Sequence, residues 1–336
     1  MFASVEELEE RLTRPSEALV ASLATGSGDL AVLGAGGKMG PTLCRLARRG
    51  LDAAGRGGDR VLAVSRWSDA TAAAELAAHG VEIVPADLLN GDLRELPEAA
   101  DVVFMVGAKF GTSASPYLAW IVNAALPARV AERYGTARIA AFSTGNVYPL
   151  SRTGSVESDP VGPVGEYAMS CLGRERVFEH AAAQGARVSI LRLNYAVDLR
   201  YGVLTDIGRS VLDGAPVDVT TGQVNVVWQG YANEVALRSL ADATAGTPFV
   251  LNLTGPETAS VRRLAAAFGE RFGVEAACVG AEAETALLND ATECHRRYGY
   301  PDVPLGTLLD WQAAWLAAGL PTSGKPTKFA VRDGRF

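Results

Sequence analysis

Four consecutive apolar residues, Leu30-Ala31-Val32-Leu33, run into a turn with glycine at positions 34, 36, 37 and 40, and a helical pattern comes next. Strand, glycine-rich turn and helix in that order form the opening unit of a doubly wound nucleotide-binding domain. Gly34 permits the tight turn, Gly36 and Gly37 let bare backbone approach a pyrophosphate, and Gly40 lets the helix pack closely on the strand. Lys38 and Met39 lie inside the same turn. An anion held there faces unsatisfied N–H groups and the positive end of the helix dipole. The segment therefore predicts a bound nicotinamide dinucleotide.

Beyond the turn the chain keeps the same rhythm. Strand-like runs near 29–33, 60–65, 81–84, 101–106, 137–143 and 187–191 alternate with helical patterns near 37–49, 69–79, 115–134 and 166–184. The alternation predicts an α/β fold, a Rossmann doubly wound parallel sheet with helices on both faces. The first helix is expected to stop at Gly50. Beyond residue 195 the segments shorten: helices near 203–213, 231–244, 258–273 and 305–319, and strands near 224–228 and 249–253. No Pro/Ser-rich linker divides this half from the first, so it reads as a smaller α/β substrate lobe interleaved with the sheet. The expected division is a helical N-terminal extension over 1–28, a dinucleotide-binding domain over 29–195, a substrate-binding lobe over 196–322 and a charged tail over 323–336. Ser4 and Glu7 have the spacing of a capping box at the first helix. The tail is either disordered or folded over a neighbouring site.

Composition narrows the function. With 48% apolar and 21% charged residues, the 336-residue chain can bury a substantial core. A formal charge of −7 gives no general attraction to nucleic acid or to anionic lipid. Cys44, Cys171, Cys278 and Cys294 show no metal-ligand spacing and His79, His180 and His295 stand apart, so no metal site is expected. The N-terminus is acidic and lacks a signal-peptide core, and no run is long and apolar enough to span a bilayer. A reduced cytoplasmic setting is the expectation.

The second strand ends in Val64-Ser65-Arg66, where an NAD site usually offers a carboxylate to the ribose. Arg66 suits a 2′-phosphate instead and favours NADP over NAD. Asp87-Leu88, after the third strand, stands where it would approach the adenine.

These residues carry a resemblance. With Gly34-x-x-Gly37-x-x-Gly40, the fourth strand ending Val106-Gly107-Ala108, Asn123, the segment Phe142-Ser143-Thr144-Gly145-Asn146-Val147-Tyr148-Pro149, Tyr167 and the run Phe249–Gly255, the chain resembles the extended short-chain dehydrogenase/reductases, or NAD-dependent epimerase/dehydratases, over roughly 29–275. The resemblance implies that Thr144 holds a substrate oxygen and that Tyr167 exchanges its proton while a hydride moves to or from nicotinamide. It also implies cofactor contacts from Val106, Gly107, Ala108, Asn123 and Tyr167. A phenol of ordinary pKa near 10 needs a neighbouring cation to act as a base at neutral pH. The family supplies it with lysine four residues on; here Tyr167-Ala168-Met169-Ser170-Cys171 places a cysteine there. Lys109, just past the fourth strand, is the candidate substitute. Arg174 either adds charge or forms a surface ion pair with Glu175 or Glu179. Cys171 reads as packing.

Dehydratases of this kind place Asp-Glu after the threonine, whereas this chain has Gly145-Asn146, and an amide cannot serve as general acid or base. Reduction, oxidation or epimerisation through a keto intermediate is the expectation, on a sugar, nucleotide sugar or similar polyhydroxylated molecule contacted by Thr144, Asn146, Asn194, Arg200 and Trp228. The other reading is a catalytically silent NADP(H)-binding sensor or scaffold, motivated by Cys171. Family resemblance implies a homodimer through the helices near 115–134 and 166–184.

Overall fold

A computed structural model describes residues 2–111 and 114–335. The expected tail end, Phe336, lies outside the described residues. Seven parallel strands form the main sheet: β1 Leu30–Leu33, β2 Val61–Ser65, β3 Glu82–Pro85, β4 Asp101–Phe104, β5 Arg138–Thr144, β6 Arg187–Leu193 and β7 Phe249–Leu253, in the order β7-β6-β5-β4-β1-β2-β3. Leu33 stands opposite Val64 on one side and Phe104 on the other, so the topological switch lies between β1 and β4. A ligand crevice forms outside the carboxyl ends of strands at such a switch. The seventh strand comes from the C-terminal half, which is thereby interleaved with the sheet.

Strand periodicity divides the core in two. Leu30, Val32, Ala63, Val103 and Ala140 point to one side, and Ala31, Leu33, Leu62, Val64, Val102 and Phe104 to the other, each set buried in its own apolar cluster. Because both faces are covered, these strands read as unbroken apolar runs and not as alternating ones.

The helices are α1 Val5–Leu12, α2 Glu17–Ala24, α3 Gly40–Ala53, α4 Ala70–Ala78, α5 Pro116–Trp120, α6 Leu126–Arg133, α7 Gly165–Ala183, α8 Val203–Leu212, α9 Gln229–Arg238, α10 Val261–Phe272, α11 Thr292–Tyr298 and α12 Leu305–Ala317. At the start of α1 the Ser4 hydroxyl accepts from Glu7 N, while Glu7 Oε2 reaches back to Ala3 N at 2.7 Å, one residue earlier than a standard capping box. Leu8, Leu12, Leu19 and Leu23 carry α1 and α2 onto the core.

Three expectations fail for identifiable reasons. First, α3 does not stop at Gly50 but continues to Ala53; Gly50 is buried, and a Cβ there would come within 2.7 Å of Leu23 Cδ1, so this glycine serves helix packing and Gly55, at φ +75°, makes the reversal. Second, the helix expected over 115–134 is interrupted by a π-turn at Ile121–Ala125. Pro127 lacks the N–H that the Asn123 carbonyl would receive in a regular helix, and Arg174 Nε approaches that carbonyl instead at 3.4 Å. Third, the strand expected over 224–228 is two two-residue pieces in separate ladders, and α11 was not anticipated.

Candidate active site

The glycine turn is built by its own backbone. Gly34 takes φ +92°, and its N–H and that of Ala35 both donate to Val64 O, at 2.9 and 3.2 Å. Gly40 leaves no room for a side chain without a shift of the backbone: a Cβ there would fall 2.1 Å from Ala35 O. Among the described residues, the N–H groups of Gly36, Lys38 and Met39 have no backbone acceptor. A turn with bare, outward N–H donors at the start of a helix fits a pyrophosphate.

Across the crevice, β5 delivers Thr144 and the first turn of α7 delivers Tyr167. The Thr144 hydroxyl accepts from Asn146 N at 3.2 Å and Asn146 Nδ2 at 3.1 Å, and it is hydrogen-bonded to the Tyr167 phenol. Burial, then the Cys171 thiol, push that phenol above its ordinary value, while Arg174 and the Thr144 hydrogen bond pull it down. Cys171 is fully buried beside Val147 and Tyr148, and burial raises its thiol too. It is a packing residue.

Lys109 reaches this tyrosine from the β4 loop, with Nζ 5.8 Å from the centre of the Tyr167 ring. Burial and repulsion by Lys38 pull its ammonium down to about 8. The loop that carries it is fixed by Asn123, whose Oδ1 accepts from Ala108 N and whose Nδ2 donates to Ala108 O, both at 2.9 Å. The same Nδ2 donates to Ser170 Oγ at 3.0 Å, and Ser170 Oγ donates to Tyr167 O at 2.9 Å. Asn123 is fully buried, so it positions Lys109 and Tyr167 from behind. Arg174 completes this scaffold. It is buried, donates to Asn123 Oδ1 at 2.8 Å and to Phe142 O at 2.6 Å, and is therefore no surface ion-pair partner.

Thr144, Tyr167, Lys109, Lys38, Met39 and Asn146 line one cleft of about 210 Å³. A family model for the NAD dependent epimerase/dehydratase family matches residues 30–200, half of the chain. The chain belongs to that family. The family's enzymes are of the extended short-chain dehydrogenase type, and the seven-stranded sheet is its Rossmann core.

Solved structures agree on the fold. MoeE5, solved with UDP-glucose and NAD, is 21% identical, with 87% of this chain and 99% of that one covered at a TM-score of 0.68. UDP-glucuronic acid 4-epimerase from Bacillus cereus, solved with UDP-glucuronic acid and NAD, is 16% identical over 86% and 99% of the two chains, TM-score 0.71. DesIV, a dTDP-glucose 4,6-dehydratase from Streptomyces venezuelae solved with NAD, is 19% identical over 86% and 97%, TM-score 0.70. Comparison with curated protein sequences gives no match.

Several residues expected at the site of this family member stand elsewhere. Trp228 is buried in the core, packed edge-on against Trp311, because its strand piece pairs with Ala196–Val197 beneath the cleft. Arg200 does not line this cleft but borders the one next to it, and its guanidinium holds Asp198 at 2.8 Å and Glu9 at 2.9 Å. Asn194 lines the cleft, but its Nδ2 is spent on Leu287 O at 3.1 Å. Asp87 caps its own turn, accepting from Leu89 N at 2.9 Å and Asn90 Nδ2 at 2.8 Å, while Leu88 is buried and Arg66 is exposed at the end of β2. Val106, Gly107 and Ala108 form the opposite lip of the crevice, Val106 Cγ2 lying 3.0 Å from the point where a Gly34 Cβ would stand. His295, for which the sequence offered no partner, is buried against Thr254 O at 3.1 Å.

Other features were not foreseen. Tyr195 lines the cleft at φ +44°, a conformation rare for a bulky side chain. Beneath Thr144, Glu175 and Arg192 form a buried ion pair at 2.8 Å, to which the Ser143 hydroxyl donates. The spacing of Ser143, Glu175 and Arg192 over three elements leaves no local signal in the sequence.

Proposed function

We propose that the chain oxidises a carbinol of a nucleotide sugar and returns the hydrogen to the keto intermediate, as an epimerase or oxidoreductase. The observation that carries this reading is the hydrogen-bonded pair Thr144–Tyr167 on the wall facing the glycine turn, with Lys109 over the phenol ring. Oxidation of a carbinol requires loss of the hydroxyl proton and of a hydride. Tyr167 takes the proton, Thr144 holds the oxygen, and Lys109 with Arg174 supplies the positive charge that the family draws from the position of Cys171. The bare N–H groups of Gly36, Lys38 and Met39 would hold a dinucleotide, which supplies hydride acceptance and return. Gly145-Asn146 in place of a carboxylate pair disfavours dehydration.

The solved neighbours named above carry NAD, and the NADP preference read from Arg66 draws no support from them; we take the cofactor to be NAD. The UDP sugars held in the first two structures, and the dTDP-glucose for which DesIV is named, suggest the substrate class. For assembly, Tyr117, Leu118, Trp120 and Ile121 expose apolar surface beside exposed Met169 of α7, which suits a homodimer through these helices. Light scattering on Leu118→Glu is expected to show a monomer where the parent chain is a dimer.

The test is a screen of purified protein with UDP and dTDP sugars and either cofactor, following nicotinamide absorbance and product epimers. Turnover supports the proposal. Cofactor binding without any turnover would instead favour the silent dinucleotide-binding protein that Cys171 suggests.

A further inference from the structure

The chain has only four lysines, Lys38, Lys109, Lys325 and Lys328, against twenty-seven arginines. Two of them, Lys38 and Lys109, line the Tyr167 cleft, and Lys325 and Lys328 line the cleft next to it. The ammonium groups of Lys38, Lys109 and Lys328 lie 5.6, 5.7 and 6.0 Å from the centre of one exposed ring, Phe110. Lys325 stands close enough to Lys38 to repel its charge. Lys38 also rests on the Tyr201 ring at 3.0 Å.

The last two lysines arrive on a strap. From Ser323 onward the tail crosses the C-terminal ends of the strands, tied down at intervals: Ser323 N to Arg200 O at 2.9 Å, Thr327 N and Oγ1 to Asp206 Oδ2 at 2.8 and 2.6 Å, and Thr221 Oγ1 to Phe329 O at 3.1 Å. Its end is seated on the start of α7. A Cβ on Gly334 would stand 2.2 Å from Val164 O, and one on Gly165 would stand 2.6 Å from Gly334 O. That fit places the strap against the turn that bears Tyr167. Between strap and α8 lies a second cleft of about 380 Å³, lined by Lys325, Lys328, Tyr201 and Arg209, and Tyr201 is shared with the cleft of Tyr167.

Ammonium groups gathered around Phe110 and Lys38, at the junction of two adjoining clefts, repel one another, and the gathering costs free energy unless an anion joins them. The two carboxylates nearest Lys38 are already engaged, Asp206 by Thr327 and Asp198 by Arg200. Among the described residues, Lys38, Lys325 and Lys328 form no ion pair. Elsewhere the fold staples itself with arginine, whose fork suits fixed pairing; lysine, a compact charge on a flexible stem, suits a phosphate that comes and goes.

We propose that Lys38, Lys109, Lys325 and Lys328 form one anion site, closed by the C-terminal strap, that takes a phosphate or diphosphate group of the substrate. This deepens the nucleotide-sugar reading above and rests on it for the identity of the substrate. Arg66 lines neither of the two adjoining clefts. A dinucleotide on the turn and a substrate under the strap would thus be held by different groups, sharing only Lys38.

Titration calorimetry of the NAD-loaded protein with inorganic pyrophosphate tests this. Binding to the parent chain is expected, with affinity at least tenfold weaker in K325Q/K328Q and NAD affinity within twofold of the parent. Gly334→Ala, which unseats the strap without touching a lysine, is expected to weaken pyrophosphate as well. Unchanged pyrophosphate affinity in K325Q/K328Q overturns the proposal, as does pyrophosphate that displaces NAD stoichiometrically, since the anion would then be occupying the cofactor's own seat. The two readings fail separately. Absence of turnover with lysine-dependent pyrophosphate binding intact removes the reaction and keeps the anion site; turnover with an unchanged KM in K325Q/K328Q does the reverse.

Discussion

The two walls of the crevice are made in different ways. On the β1 side, the glycine turn is a local object, held by bonds from Gly34 and Ala35 to Val64 O and by the bare contact of Gly40 on Ala35. On the β5 side, the Tyr167 phenol has surroundings that come from four separated elements: Thr144 from β5, Lys109 from the β4 loop, Asn123 from the π-turn and Arg174 from far along α7. Backbone geometry fixes the first wall, and only a particular set of side chains can make the second work. On the proposed reading, one wall can keep its ligand while the other changes its chemistry, and Cys171 at the position where the resemblance implies a lysine would be such a change.

The largest effect is expected on the second wall. Tyr167→Phe removes the proton carrier while sparing the turn, so kcat should fall by about 10²- to 10⁴-fold with the dinucleotide Kd little changed. A rate within tenfold of the parent would show that another group moves the proton. Next comes the first wall. Gly40→Ala forces a methyl group into the Ala35 carbonyl and should cost about 1–3 kcal/mol of stability, along with a weakened dinucleotide. Calorimetric unfolding and a cofactor titration check both; an unchanged Tm would mean the turn yields more readily than its geometry implies.

The contrast also explains what could be read before any coordinates. The parallel sheet and the glycine turn are periodicities and spacings within one stretch of chain and are legible in it, whereas Tyr167 is marked only by the family resemblance. Trp228 and Arg200 were assigned to the substrate from residue type alone, yet type does not say which side of a strand piece faces the cleft. Trp228 faces Trp311, and Arg200 faces Glu9 of the N-terminal extension, far away in sequence. Two further signals lie in the sequence and gain meaning only beside the structure. Pro127 marks the break that frees the Asn123 carbonyl, and the scarcity of lysine marks the cleft.

A smaller effect is expected for Trp228, which the structure buries in the core. Trp228→Phe should leave KM for substrate unchanged and cost roughly 1–2 kcal/mol of stability through lost packing. A raised KM with unaltered stability would return Trp228 to the site.

A last effect, one that needs no substrate, is a pH dependence of stability. Burial and repulsion pull two ammonium groups down to about 8 from the ordinary lysine value of 10.5: Lys109, which faces Lys38, Lys328, Cys171 and Tyr167, and Lys38, which faces Lys325, Asp206 and Asp198. Between those pH values the unfolded chain holds protons that the folded chain has released, so these groups make stability rise with pH in that window. Denaturant midpoints compared with those of K38Q/K109Q should show the rise diminished. Equal slopes would mean that the cluster is screened.

The central claim is that Lys109 supplies the charge that position 171 lacks. The direct measurement is the pH profile of kcat/KM for the oxidative reaction, in the parent chain, Lys109→Ala and Lys109→Arg. Tyr167 must lose its proton to act as base, and a nearby cation favours the phenolate. The rising limb should therefore move to higher pH by about one unit or more in Lys109→Ala and return towards the parent position in Lys109→Arg, where charge is restored. Identical rising limbs in all three proteins would contradict the claim and leave Arg174, or no cation at all, to replace the missing lysine.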